Sequence, residues 1–180
     1  MTIKDFFHKL FALQSSETIP FLVIGGHAIN AYTHVRTTYD LDILMAEDSL
    51  EALKAELTTW KMKFEGRTTT FARFKLLLPD SAPYTLDVML VNSATFKKLY
   101  PTRILQKVGA YSYSVPAPEH LIALKLHALQ NEARKKKEID YTDIQQLIRG
   151  CGLSLSDPKL KEVIQRYAPS DIKARLEEEF

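Results

Sequence analysis

Apolar residues recur along this chain with two periods, and the change from one to the other divides it. Ile3, Phe6, Phe7, Leu10, Phe11 and Leu13 fall mostly on one face of a helix over residues 3–14. Pro20 then opens a short apolar strand, FLVI, that closes in Gly25-Gly26, and residues 27–34 have the spacing of a helix with Ala28, Ile29, Ala31 and Tyr32 inward. Residues 39–45, YDLDILM, read as a second strand. Residues 47–60 read as a helix capped by Asp48 or Ser49, with Leu50, Leu53 and Leu57 as its buried stripe. Strand-like segments follow at 61–65, 70–78 and 84–91. In the middle one Phe71, Arg73 and Lys75 alternate with Ala72, Phe74 and Leu76, and residues 79–83 supply the turn after it. Residues 111–115 form a further short strand. After Pro116 and Pro118 helical spacing takes over in four helices, one of them opened by Ser156-Asp157-Pro158. The pattern predicts a strand-and-helix domain over residues 1–115 and a helical lobe over 116–180.

Composition narrows this only a little. The 180 residues are 46% hydrophobic and 26% charged, enough to bury a core without disulfide staples. A net charge of +2 is too mild to argue for nucleic-acid binding by itself. The one cysteine, Cys151, sits in a Gly150-Cys151-Gly152 turn, which rules out an intrachain disulfide and a cysteine zinc cluster. The N-terminal segment reads as an amphipathic helix rather than a signal peptide, and no apolar run approaches the ~20 residues that span a bilayer. The expected setting is cytoplasmic, with no membrane partner.

The chemistry concentrates in residues 21–45. In a strand, positions i and i+2 share a face, so Asp40 and Asp42 project together while Leu41 and Ile43 pack the other way. Two parallel carboxylates repel unless a positive charge lies between them, and a hard divalent cation such as Mg²⁺ or Mn²⁺ suits oxygen donors. Alone, the two acids fit a solvated strand edge equally well, and Gly25-Gly26 alone fits an ordinary tight turn. Together they give a strand, a glycine turn able to approach an anion, a helix start with unpaired N–H groups, and a strand bearing two acids. Asp87 interrupts an apolar strand, YTLDVMLV, where a carboxylate is costly without a partner. If that strand neighbours the Asp40/Asp42 strand, three carboxylates converge and can hold two metal ions.

Further on, Lys125 falls on the apolar face of LIALKLHAL, either snorkelling to the rim or pointing into a site. Asp140 and Asp143 are i and i+3 on one helix face, just after the basic run from Arg134 to Lys137. That run is either a solvated helix end or a contact to a triphosphate or RNA. His27 is read as lining the pocket and His34 as a surface residue.

These residues resemble the nucleotidyltransferase superfamily with the DNA polymerase β-like fold, in which a glycine turn precedes an hDhDh strand and a third acid lies on a later strand. Gly25, Gly26, Asp40, Asp42 and Asp87 match in order. More narrowly, the chain resembles the minimal nucleotidyltransferases of the abortive-infection type IV toxin kind. Arg36 and Thr38 match the Arg-x-Thr before the acids, Lys125 the helical lysine, and Asp140 with Asp143 the later Asp-x-x-Asp. It departs from many superfamily members in carrying His27, not serine, after the glycines, and it is shorter than the full toxins.

The resemblance implies an α+β fold: a mixed sheet flanked by helices, then a helical lobe, with the nucleotide between them. It implies transfer of a nucleoside monophosphate from an NTP to a hydroxyl acceptor with release of pyrophosphate. Asp40, Asp42 and Asp87 would hold Mg²⁺ or Mn²⁺. Gly25, Gly26, His27, Arg36, Thr38, Lys125, Asp140 and Asp143 would serve the nucleotide. The acceptor could be RNA, a protein or a small molecule, and an antitoxin protein is an implied partner. An inactive nucleotide-binding or interaction module of the same fold is the competing reading.

Overall fold

The computed structural model describes residues 1–33, 37–78 and 83–180. It divides into two compact units, Met1–Ala31 with Arg36–Pro116, and Tyr32–Val35 with Ala117–Phe180.

The first unit is built on a mixed five-stranded sheet. Its strands are β1 (Leu22–Ile24), β2 (Asp40–Ala46), β3 (Lys63–Arg67), β4 (Phe71–Leu76) and β5 (Tyr84–Val91), in the order β1-β2-β5-β4-β3. β2 and β5 run parallel in the centre, and the other neighbours are antiparallel. The period-2 alternation sets the faces. Leu41, Ile43 and Met45 of β2, Leu86, Val88 and Leu90 of β5, and Ala72, Phe74 and Leu76 of β4 are buried. The core is completed by Phe6, Leu10 and Phe11 of α1 (Ile3–Ser15) and by Leu50, Leu53 and Leu57 of α3 (Leu50–Thr59).

α1 begins with a capping box, in which the Thr2 hydroxyl accepts from the Asp5 N–H and the Asp5 carboxylate accepts from the Thr2 N–H. A separate hairpin, β6 (Ile104–Val108) with β7 (Tyr111–Val115), is tied to α1 through the buried Gln14. The Gln14 amide nitrogen donates to the carbonyls of Phe21 (2.8 Å) and Ser114 (3.2 Å), and its oxygen accepts from the Ser114 N–H (2.7 Å). A buried amide so placed leaves no polar atom unmet.

The elements differ from the sequence pattern at several ends. α2 (Gly25–Tyr32) starts two residues early, so both glycines lie in its first turn instead of ahead of it. α3 is shorter than the 47–60 pattern, because residues 47–49 form a 3₁₀ turn. Neither expected cap hydrogen-bonds the α3 backbone: the Asp48 carboxylate accepts from the Ser93 hydroxyl instead. α4 (Ser93–Leu99), capped by Asn92, and β6 occupy a stretch where no period stands out in the sequence. The turn expected at 79–83 falls mostly outside the described residues.

The second unit is helical, with α5 (Pro118–Leu129), α6 (Lys137–Gly150), α7 (Pro158–Tyr167) and α8 (Ser170–Glu179). Proline occupies the first turn of both α5 and α7. Among the described residues no helix is long and apolar enough to cross a membrane.

Candidate active site

Register decides the site. β2 and β5 are paired so that Asp42 lies directly beside Asp87 and Asp40 beside Thr85. Residues paired across neighbouring strands share a face, so all three aspartates emerge on the side away from the apolar rows just described. One carboxylate oxygen from each of Asp40, Asp42 and Asp87 lies within 4.8 Å of the other two.

Each acid is held by a different device. The Thr38 hydroxyl, immediately before β2, donates to Asp40 Oδ1 at 2.9 Å. Asp42 abuts Gly25 at the start of α2, where φ is +62°. A Cβ on Gly25 would stand 2.0 Å from Asp42 Oδ2, so glycine is required there both by its left-handed backbone and by the space the carboxylate fills. Asp87 is buried, and Arg73 of the neighbouring strand forks onto it. Arg73 Nε donates to Oδ1 at 2.7 Å and Nη2 to Oδ2 at 2.8 Å. That hydrogen bonding and the Asp87 charge, outweighing burial, raise the Arg73 pKa.

The first turn of α2 brings Gly26 and His27 to the same end of the sheet, since Ile24 pairs with Asp42. The His27 ring shares a hydrogen bond of 3.0 Å with the Tyr84 hydroxyl and packs edge-on against Phe7. Tyr113 donates its hydroxyl proton to the His27 carbonyl at 3.2 Å. Burial, and secondarily the charges of Asp40 and Asp42, push the Tyr84 phenol well above its usual value, so it remains a hydrogen-bond donor. Burial alone pushes Tyr113 up to about 12.

The later residues meet in the helical unit. Lys125 Nζ lies 2.7 Å from both Asp140 Oδ1 and Asp143 Oδ2. Arg134 Nε donates to Asp140 Oδ2. Both aspartates are 1% exposed. The structure thus brings together the lysine and the Asp-x-x-Asp pair, and it turns one residue of the basic run inward upon them. Arg36 and His34 lie outside the described residues.

Arg73 and Tyr84 are the residues that the sequence pattern did not single out. The alternation of Phe71, Arg73 and Lys75 already puts Arg73 on the outward face of β4. Its relation to Asp87 depends on the β4–β5 register, which no local pattern carries.

Comparison with known proteins agrees with this geometry. No curated protein matches by sequence. Among solved structures, the antibiotic-resistance factor ANT(2'')-Ia, solved in complex with adenylyl-2''-tobramycin, is similar with a TM-score of 0.66 at 15% identity, covering 91% of this chain and 98% of that one. An antigenic nucleotidyltransferase-like protein from Paracoccidioides brasiliensis has a TM-score of 0.59 at 17% identity, covering 97% and 91%. The lincosamide antibiotic adenylyltransferase LnuA, bound to lincomycin, has a TM-score of 0.54 at 14% identity, covering 82% and 98%. At such identities these likenesses establish the nucleotidyltransferase fold. The family model described as "Nucleotidyl transferase AbiEii toxin, Type IV TA system" matches residues 9–179. With nearly the whole length matched, the chain belongs to the AbiEii family of nucleotidyl transferase toxins, a family of nucleotidyl transfer enzymes.

Proposed function

We propose that this protein moves a nucleoside monophosphate from an NTP to a hydroxyl acceptor in a reaction that needs Mg²⁺ or Mn²⁺. The observation that carries the reading is the meeting of Asp40, Asp42 and Asp87 within 4.8 Å, beside the first turn of α2. The donor set consists of carboxylate oxygens alone, the chemistry a hard divalent cation prefers. Divalent ions held there would neutralise charge on the triphosphate and make the acceptor hydroxyl easier to deprotonate.

In this reading Asp40 and Asp42 hold the metals from one strand, Thr38 fixes the Asp40 carboxylate, and Asp87 completes the set from the next strand. The N–H groups at the start of α2, at Gly25, Gly26 and His27, supply donors and a positive dipole end for the β- and γ-phosphates. The acceptor oxygen bonds to the α-phosphorus as the bond to the bridging oxygen breaks, and pyrophosphate leaves with the electron pair. The acceptor proton passes to the Asp87 carboxylate. Catalysis rests on positioning and charge stabilisation, which preorganised strand-borne groups do well.

Lys125, Asp140 and Asp143 are assigned an architectural part within the helical unit, because the ammonium is already engaged by both carboxylates. Membership of a toxin family supports an antitoxin protein as partner, and we place the enzyme in the cytoplasm. Incubating the protein and Mg²⁺ with each labelled NTP, total RNA and a metabolite extract tests the reading. Label in one fraction names the acceptor class. No label with any NTP, and no thermal shift by any NTP with Mg²⁺ or Mn²⁺, would favour an inactive nucleotide-binding module.

A further inference from the structure

The third carboxylate of the triad does not wait for a cation with its oxygens open. Arg73 reaches across from β4 and occupies both oxygens of Asp87 in a two-point fork, at 2.7 and 2.8 Å. Each oxygen keeps a second lone pair, but the guanidinium charge stands beside both of them. While the fork stands, a divalent cation at Asp87 meets that positive charge at close range. The fork offsets one of the three carboxylate charges of the triad.

The two partners differ in how firmly they are fixed. The Asp87 side chain is 11% exposed and belongs to the central strand, whereas the Arg73 side chain is 46% exposed, with its guanidinium 5.3 Å from the Phe71 ring. Arg73 can leave towards solvent without opening the core, and Asp87 cannot follow it. A guanidinium released beside a nucleotide site has a ready acceptor, because its planar fork fits phosphate as well as carboxylate.

We propose that Arg73 is a positioning residue, an internal counter-ion that keeps a divalent cation off Asp87 until a triphosphate is present to receive the guanidinium. The metal-free enzyme then takes one divalent ion on Asp40 and Asp42, and the Asp87 position fills only with nucleotide. This inference rests on the metal-site reading of the triad.

The test is a Mn²⁺ titration of the full chain without nucleotide, read as free Mn²⁺ by electron paramagnetic resonance. The wild type is expected to bind one Mn²⁺, lost in Asp42→Asn. Arg73→Met is expected to bind a second ion, with affinity for that ion raised about tenfold or more by removal of the nearby positive charge. Arg73→Gln should do the same, and a cooperative circular dichroism melt confirms that each variant is folded. In an Asp87→Asn background, Arg73→Met should change nothing. Adding a non-hydrolysable NTP analogue to the wild type should raise its count to that of Arg73→Met. If the wild type binds no Mn²⁺, the metal-site reading falls and takes this inference with it. If it binds one ion and both Arg73 variants bind the same or more weakly, the inference alone is overturned and Arg73 serves only to orient Asp87.

Discussion

Two groups of buried or half-buried aspartates stand in this molecule, one on the sheet and one among the helices. Asp140 and Asp143 are almost wholly buried, and Lys125 and Arg134 meet them from within the same unit. Asp40 and Asp42 are half-buried, and Asp87, the most enclosed of the sheet group, is met by Arg73. The helical group is a clamp whose charges are matched by its own chain. The sheet group gathers three carboxylates on the face opposite the row of Leu41 and Ile43, with Arg73 set against one of them. Buried charge that the fold itself neutralises speaks for architecture, whereas three carboxylates brought within 4.8 Å of one another speak for a ligand that joins them.

The largest expected effect separates function from stability in the sheet group. Asp42→Asn should lower nucleotide transfer about a thousandfold or more, roughly 4 kcal/mol of barrier, in a labelled-NTP assay. The same variant should stay folded with a cooperative melt, since asparagine keeps the volume of the side chain packed against Gly25. A melt that dropped sharply would move Asp42 into the architectural class.

Next comes the clamp. Lys125→Met should cost about 3 kcal/mol in urea unfolding, because two buried carboxylates lose their shared cation. Arg73→Met should cost about 1 kcal/mol or less, since that pair is partly exposed. Equal losses would erase the distinction between the two groups.

Gly25→Ala tests how tightly the sheet site is built. The positive φ alone costs about 1–2 kcal/mol, and the new methyl would also push Asp42 aside. Transfer should fall together with Mn²⁺ binding, measured on the same preparation.

The smallest effect is a pH dependence of the clamp. Burial drives the Asp140 carboxyl upward, but Arg134 and Lys125 together drive it down further, so its folded pKa lies below its unfolded one. The stability it contributes is present above the unfolded value and is lost as pH falls through the folded one. Unfolding followed from pH 6 down to pH ~2 should therefore show a loss of stability below pH ~4 that Asp140→Asn abolishes. An acid limb of equal size in that variant would assign the loss to other groups.

Much of this was legible from the chain alone. Period-2 alternation marked β4, short strand-like runs marked β2 and β5, and helical spacing marked the C-terminal helices, α7 with a proline start. The glycines and acids carried a family resemblance that implied nucleotidyl transfer, and the family match agrees. These are local signals, carried by a few neighbouring residues and repeated by backbone geometry. Where local signals fade, in residues 92–110, α4 and β6 went unseen. The expected caps on α3 failed because Asp48 found a partner from a residue far along the chain.

Tertiary structure decided the pairings. That Asp87 stands beside Asp42 follows from the parallel register of β2 and β5, and that Arg73 forks onto Asp87 follows from the register of β4. That the Gly25 position has no room for a side chain follows from the placement of Asp42. That Lys125 is engaged by Asp140 and Asp143 follows from the packing of α5 on α6. The sequence determined which residues have the chemistry and which face of their own element each occupies, because period and residue type are properties of a short segment. Which carboxylate meets a cation of its own chain is a matter of contacts between distant segments, and only the folded chain settles that.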